Sequence, residues 1–244
     1  MKTTILKRTL EGIDTLEYMS KKADKLMFLQ HGIHGNKQKI MHLLGLSFVK
    51  LGYHVIAIDA AKHGSRLEEP FASKDEDLCE LDTMNVVKTT ALDIRAIHDN
   101  HFKKEFAAFD IIGVSMGGLI GYYLSTITDR IDQLVAMISS PDFKAAALYK
   151  FPPERRAKYP EKSAEAERLV DAMNPAERTE EMTFNRLIMV SGEHDRVIPY
   201  SHSERFKQDN PDRDIIFTLY DTDHSIVKAM HDDILRWLKT ARRK

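Results

Sequence analysis

Residues 109–118 read FDIIGVSMGG, an apolar run that stops abruptly on a serine set among glycines. Phe109–Val114 has the length and composition of a fully buried strand, and helical spacing begins at Leu119 and continues to Leu124. Gly113, Ser115 and Gly117 therefore fall on a sharp strand-to-helix turn and match the spacing G-x-S-x-G. Such a turn holds its central residue in a strained backbone conformation. The residues two before and two after it approach so closely that a Cβ on either would clash. A tight turn around a buried serine would need the same glycines. The strand before it and the small-residue helix after it favour an exposed nucleophile, Ser115.

Outward from this turn the chain alternates. Apolar runs at 25–30 (KLMFLQ), 53–58 (YHVIAI), 133–138 (QLVAMI), 186–190 (RLIMV) and 214–220 (DIIFTLY) each end in turn residues. Helical spacing fills 39–51, 84–98 and 226–238, the last with Ile226, Met230, Ile234 and Leu238 on one stripe. Strands this apolar, alternating with helices, predict an α/β domain with a mostly parallel central sheet covered by helices on both faces. Residues 3–15, with a turn at Glu11-Gly12, predict an antiparallel hairpin at one edge. Two stretches break the alternation. Residues 65–83 read as a long acidic connection, and 141–185 as an insertion forming two or three short helices, a cap over the sheet. The whole chain, 1–244, reads as one domain carrying that cap.

Formal net charge is −1, with 43% hydrophobic and 30% charged residues, so no global field favours nucleic acid or an anionic membrane. The single cysteine, Cys79, excludes an intramolecular disulfide and a cysteine-based zinc site. The first residues carry charges but no apolar signal region, and no run approaches the roughly 20 apolar residues of a spanning helix. Cytoplasm is the expected location.

A serine hydroxyl needs a base to take its proton, and the base needs an orienting carboxylate. After a nucleophile turn of this type the acid and then the base follow in chain order. Asp195, in SGEHDRVIP after the fifth run, is the expected acid; Glu193, Asp221 and Asp223 compete. His224, in DTDHS between the last strand and the last helix, is the expected base, whereas His202 and His231 fall on helical stretches. The oxyanion of an acyl transfer needs preorganised donors. The N–H groups of Met116 and of Ile33, in HGIHGN after the first strong strand, are in the positions to supply them. His31 and His34 are also spaced as metal ligands, but no acid or third histidine joins them in that loop. No metal and no organic cofactor is required. His34, Phe71, Phe143, Leu148, Tyr149 and Phe151 are candidates to line a substrate pocket.

Together HGIHGN, DAAKHGSR (59–66), GVSMGG, SGEHDRVIP and DTDHS resemble the α/β-hydrolase superfamily. More narrowly, they are similar to the small bacterial carboxylesterases and the dienelactone-hydrolase-like, prolyl-oligopeptidase-like group. The resemblance covers the chain from about residue 25. It implies an α/β-hydrolase fold, and a serine hydrolase that cleaves small or medium carboxylic esters through an acyl-enzyme. It also implies that His63 and Gly64 shape a loop rather than act on substrate. Two departures limit it. Dienelactone hydrolases proper use a cysteine where this chain has Ser115, and 244 residues leave no room for the propeller of the prolyl oligopeptidases. Thioesters, peptides and acyl transfer use the same machinery. A catalytically silent binding protein is the reading from another class. A homodimer is compatible with the sequence, which selects no oligomeric state.

Overall fold

In the computed structural model, which describes residues 2–240, the chain opens on a hairpin of β1 (Thr3–Leu10) and β2 (Ile13–Ser20). Glu11 and Gly12 at its turn both have positive φ, 51° and 75°, the mirror-image turn whose twist suits flanking strands. The hairpin outruns the predicted 3–15 because β2 docks on the sheet: Thr15–Tyr18 pairs antiparallel with the strand that follows the first helical segment.

That segment lies between β3 (Lys25–Gln30) and β4 (Tyr53–Ile58). It consists of α1 (Lys37–Ile40) and α2 (Leu46–Val49), joined by a π turn over Met41–Gly45. α3 (Glu76–Ile97) leads to β5 (Phe109–Val114), and α4 (Met116–Ser125) to β6 (Ile131–Met137). The insertion contributes α5 (Phe143–Lys150), α6 (Pro153–Arg156) and α7 (Pro160–Met173). β7 (Arg186–Gly192), α8 (Ser201–Asp209), β8 (Ile215–Tyr220) and α9 (Lys228–Thr240) complete the described chain.

The eight strands form one sheet in the order β1-β2-β4-β3-β5-β6-β7-β8, parallel from β4 to β8. β4, β5 and β7 are buried along all or nearly all their length, which is why they read as unbroken apolar runs. One face packs against α3, α4, α8 and the cap, through Val87, Ile94, Ile120, Phe143 and Phe206. The other packs against α1, α2 and α9, through Ile40, Phe48, Met230, Ile234 and Leu238. Each such side chain contributes about 1.5–3 kcal/mol by leaving water. α9 begins at Lys228, so Ile226 precedes the helix while Met230, Ile234 and Leu238 form its buried stripe.

The acidic stretch 65–83 is not wholly a connection. α3 starts at Glu76, with the Asp75 carboxylate accepting the N–H of Leu78 at 3.0 Å. Glu76 and Asp77 follow in the first turn, where carboxylates oppose the positive end of the helix dipole. Half of the acid run is thus a helix N-terminus. No described helix is long and apolar enough to cross a membrane.

Candidate active site

The strand order reverses at β3, which lies between β4 and β5. Loops leaving the C-terminal ends of β3 and β5 diverge there and leave a crevice, the usual ligand position in an open parallel sheet. Ser115 stands at its edge, between β5 and α4, with φ 53° and ψ −115°. No extended or helical residue has that conformation, and the surrounding turn holds it. A Cβ on Gly113 would sit 2.0 Å from the carbonyl oxygen of Gly117, and one on Gly117 would sit 2.4 Å from that of Gln30. The Ser115 N–H donates to Met137 O at 2.9 Å, and Ser139 Oγ donates to Ser115 O at 2.8 Å.

His224, in the loop between β8 and α9, places Nε2 2.9 Å from Ser115 Oγ and Nδ1 2.7 Å from Asp195 Oδ2. Asp195 begins the turn after β7. Its Oδ1 accepts the N–H groups of Val197 and Ile198, each at 2.8 Å. Burial pushes the Asp195 carboxyl upward, but the hydrogen bonds from His224, Ile198 and Val197 outweigh it and hold it below the ordinary carboxylate value. Of the competing acids, Glu193 and Asp223 are exposed, and Asp221 bonds His194 at 3.1 Å. The sequence-predicted serine, acid and histidine are therefore brought into one hydrogen-bonded line.

Met116 follows Ser115 in the chain and Ile33 lines the same cavity as Ser115, and neither amide donates to an acceptor among the described residues. Gly32 leaves the space between them open: a Cβ there would come within 3.4 Å of the Ser115 Cβ. The loop carrying Ile33 is tied down by histidines. The His31 Nδ1–H donates to Gly32 O at 2.8 Å, and His31 Nε2 accepts the Ala60 N–H at 3.0 Å. Burial pushes the His31 imidazole down to about 4, so it is neutral. Both of its nitrogens are engaged, and the exposed His34 has no partner ligand beside it; no metal-binding group of three or more His, Cys, Asp or Glu exists among the described residues.

His63 Nε2 lies 2.6 Å from Ile33 O and Nδ1 2.8 Å from Ala61 O, so this residue shapes the loop. Gly64 has φ 55°, and its missing side chain makes room for the Asp59 carboxylate. That carboxylate joins the two loops, accepting Lys37 Nζ at 2.6 Å, Lys37 N at 2.8 Å and Ser65 N at 2.8 Å. The pattern from Asp59 to Ser65 signals this turn, but nothing in the sequence indicated that Lys37 would be buried in it.

A cavity of about 410 Å³ runs from Ser115 under the cap. Phe143, Leu148 and Phe151 line it as predicted, together with Ile33, Leu81, Met84, Leu119, Val170 and Ile198. The sequence reading missed those last five because they lie on four different elements. His34 and Phe71 instead line a second cavity of about 570 Å³, which shares Ile33 and Glu80 with the first. The Phe71 ring packs 4.4 Å from that of His63. Tyr149 lines neither cavity and is 49% exposed. The inward face of α5 is the i, i+3, i+4 stripe of Phe143, Ala146 and Ala147, which turns Tyr149 outward.

The cap is held to the start of α3 by opposite charges. Arg155 pairs with Asp77, with Nε at 2.8 Å, and its guanidinium lies 4.8 Å over the Phe151 ring. Lys158 reaches Asp77 at 3.2 Å and Lys150 reaches Glu80 at 3.3 Å. Asn85 donates to Glu165 at 3.2 Å.

This architecture is the α/β-hydrolase fold. Solved structures share it across nearly the whole chain. TT1662 from Thermus thermophilus superposes with a TM-score of 0.74 at 19% identity, covering 100% of both chains. The Pyrococcus furiosus esterase Pf2001 gives 0.63 at 18% identity over 98% of this chain and 90% of its own. The Pyrococcus horikoshii acylaminoacyl peptidase gives 0.70 at 11% identity over 98% of this chain but 40% of its own. No family model matches the chain, and no curated protein matches it in sequence.

Proposed function

We propose that the protein is a serine hydrolase cleaving carboxylic esters, with Ser115 as nucleophile, His224 as base and Asp195 as the acid that orients it. The observation that carries this is the unbroken line from Asp195 Oδ2 through both His224 nitrogens to Ser115 Oγ, beside two uncommitted amides. His224 takes the hydroxyl proton as Ser115 Oγ attacks the ester carbonyl carbon. The N–H groups of Ile33 and Met116 stabilise the tetrahedral oxyanion. Collapse breaks the bond to the alcohol oxygen, which leaves with the proton from His224. Water then attacks the acyl-serine, giving its proton to His224, and the carboxylic acid departs as Ser115 recovers its hydrogen. Asp195 keeps the Nδ1 proton in place throughout.

The apolar wall beside Ser115 suits an ester arm without charge, and the esterase named among the structural neighbours accords with this reading. The test is covalent labelling by a fluorophosphonate together with turnover of p-nitrophenyl butyrate. Both should be lost in Ser115→Ala while its thermal unfolding stays close to that of the parent. A folded parent that neither labels nor turns over any ester would overturn the proposal.

A further inference from the structure

An ester held at Ser115 has two arms, and the proton path distinguishes them. The alcohol oxygen must leave within hydrogen-bond reach of the protonated base, so the alcohol arm lies on the His224 side. The His224 side chain keeps 22% of its surface in solvent, which leaves that side open. The 410 Å³ cavity has Ser115, Met116 and Ile33 in its wall but neither His224 nor Asp195. The acyl arm leaves the carbonyl carbon in the remaining direction, away from the base, and the cavity that meets Ser115 without touching His224 is the space available to it.

Its charge is balanced at the rim. Lys150 is paired with Glu80 at 3.3 Å, Lys144 with Asp171 at 3.0 Å and Glu177 at 2.9 Å, and Arg156 with Glu167. Arg156 Nε is a buried donor without a partner. It offers one N–H to an oxygen, but its cation is already neutralised, so it provides no net charge for a second carboxylate. At roughly 30 Å³ per methylene, about the liquid volume of a water, a cavity of about 410 Å³ has room for a chain of about ten carbons. The carbonyl and some solvent share that space.

We infer that the cavity is an acyl-chain pocket selecting uncharged aliphatic acyl groups of roughly six to ten carbons, while the alcohol arm is only weakly selected. The inference rests on the ester-hydrolase reading above. Each methylene entering the pocket is worth a two- to fourfold gain in kcat/KM, until the chain meets the far wall under α7.

Two substrate series test it: p-nitrophenyl alkanoates from acetate to myristate, and octanoate esters of methanol through octanol followed by pH-stat. The expected result is kcat/KM rising two- to fourfold per carbon to about octanoate and falling for myristate, with less than a threefold spread across the alcohols. Val170→Phe, which fills the pocket, should move the optimum at least two carbons shorter; Ala166→Leu is the milder alternative should that variant not fold. A flat or falling acyl profile, an alcohol series as steep as the acyl series, or a suberate half-ester faster than the octanoate would overturn the inference while leaving the hydrolase reading intact. If no ester is hydrolysed, alkyl fluorophosphonates replace them. Labelling that accelerates with alkyl length would support the pocket alone, and absence of labelling would remove both readings.

Discussion

Replacing His31 by glutamine should change how stability depends on pH, and the size of the change follows from its surroundings. The imidazole is 1% exposed, gives its Nδ1 proton to Gly32 O and receives the Ala60 N–H on Nε2. A proton added at Nε2 would displace that bond and bury a charge, so the folded state holds the imidazole at about 4, well below the ordinary 6.5. The unfolded chain therefore binds a proton that the folded chain refuses as the pH falls from 6.5 toward 4. Stability from this residue is fully present above pH 6.5 and is lost across that window at up to ~1.4 kcal/mol per pH unit. The loss amounts to about 2–3 kcal/mol by pH 4.5.

His31→Gln should cost about 1–2 kcal/mol at pH 8, for two imperfectly replaced hydrogen bonds. Its stability should then fall less steeply with acid. Urea unfolding of both proteins at half-unit steps from pH 8 to 4.5 measures the gap, in which the other titrating groups cancel. The gap should close or reverse by pH 4.5. Parallel curves, with a gap constant to within about 0.5 kcal/mol, would refute the reasoning. The Gly32 C=O held by His31 belongs to the same peptide as the Ile33 N–H proposed as an oxyanion donor, so kcat should also fall about 10- to 100-fold.

Gly117→Ala places a Cβ 2.4 Å from Gln30 O, backbone on both sides, and should lower the melting temperature by well over 5 °C or prevent folding. Asp195→Asn should leave the melting temperature nearly unchanged while reducing kcat at least 10³-fold, measured on a p-nitrophenyl ester. Cys79 is 6% exposed, and burial pushes its thiol up to about 11. Native protein at pH 8 should therefore react with a chromogenic disulfide at least tenfold more slowly than protein in urea. The double variant Asp77→Asn, Glu80→Gln removes the partners of Arg155, Lys158 and Lys150. Limited proteolysis should then cut between residues 150 and 160 faster than in the parent, with a cut pattern that the parent approaches only at high salt.

The sheet was legible because its strands are buried on both faces, which leaves apolar runs with sharp ends such as 53–58 and 109–114. Ser115, Asp195 and His224 were legible for a related reason: each sits where such a run ends, and side chains at those ends converge at the crevice. The start of α3 was not, because Glu76–Glu80 carries a helix signal in its capping and charge rather than in apolar spacing. The cavity wall was still less legible. Whether Tyr149 or Ala147 faces Ser115 depends on the rotation of one helix turn, and α5 is too short and too evenly mixed for its pattern to fix that rotation. The roles of Lys37 and His31 depend on loops that are distant in sequence and meet only after folding, through Asp59 and Ala60.

The ion pairs between cap and helix bear on any recombination of domains of this architecture. Asp77, Glu80 and Asn85 belong to the body of the domain, yet their partners Arg155, Lys150 and Glu165 lie within the insertion. Residues 141–185 are therefore not a self-sufficient module: transplanted alone onto another scaffold, they would arrive with cations facing no counterparts. The exchangeable unit is discontinuous, the insertion plus the first three turns of α3, and a chimera designed on that boundary should retain its cap.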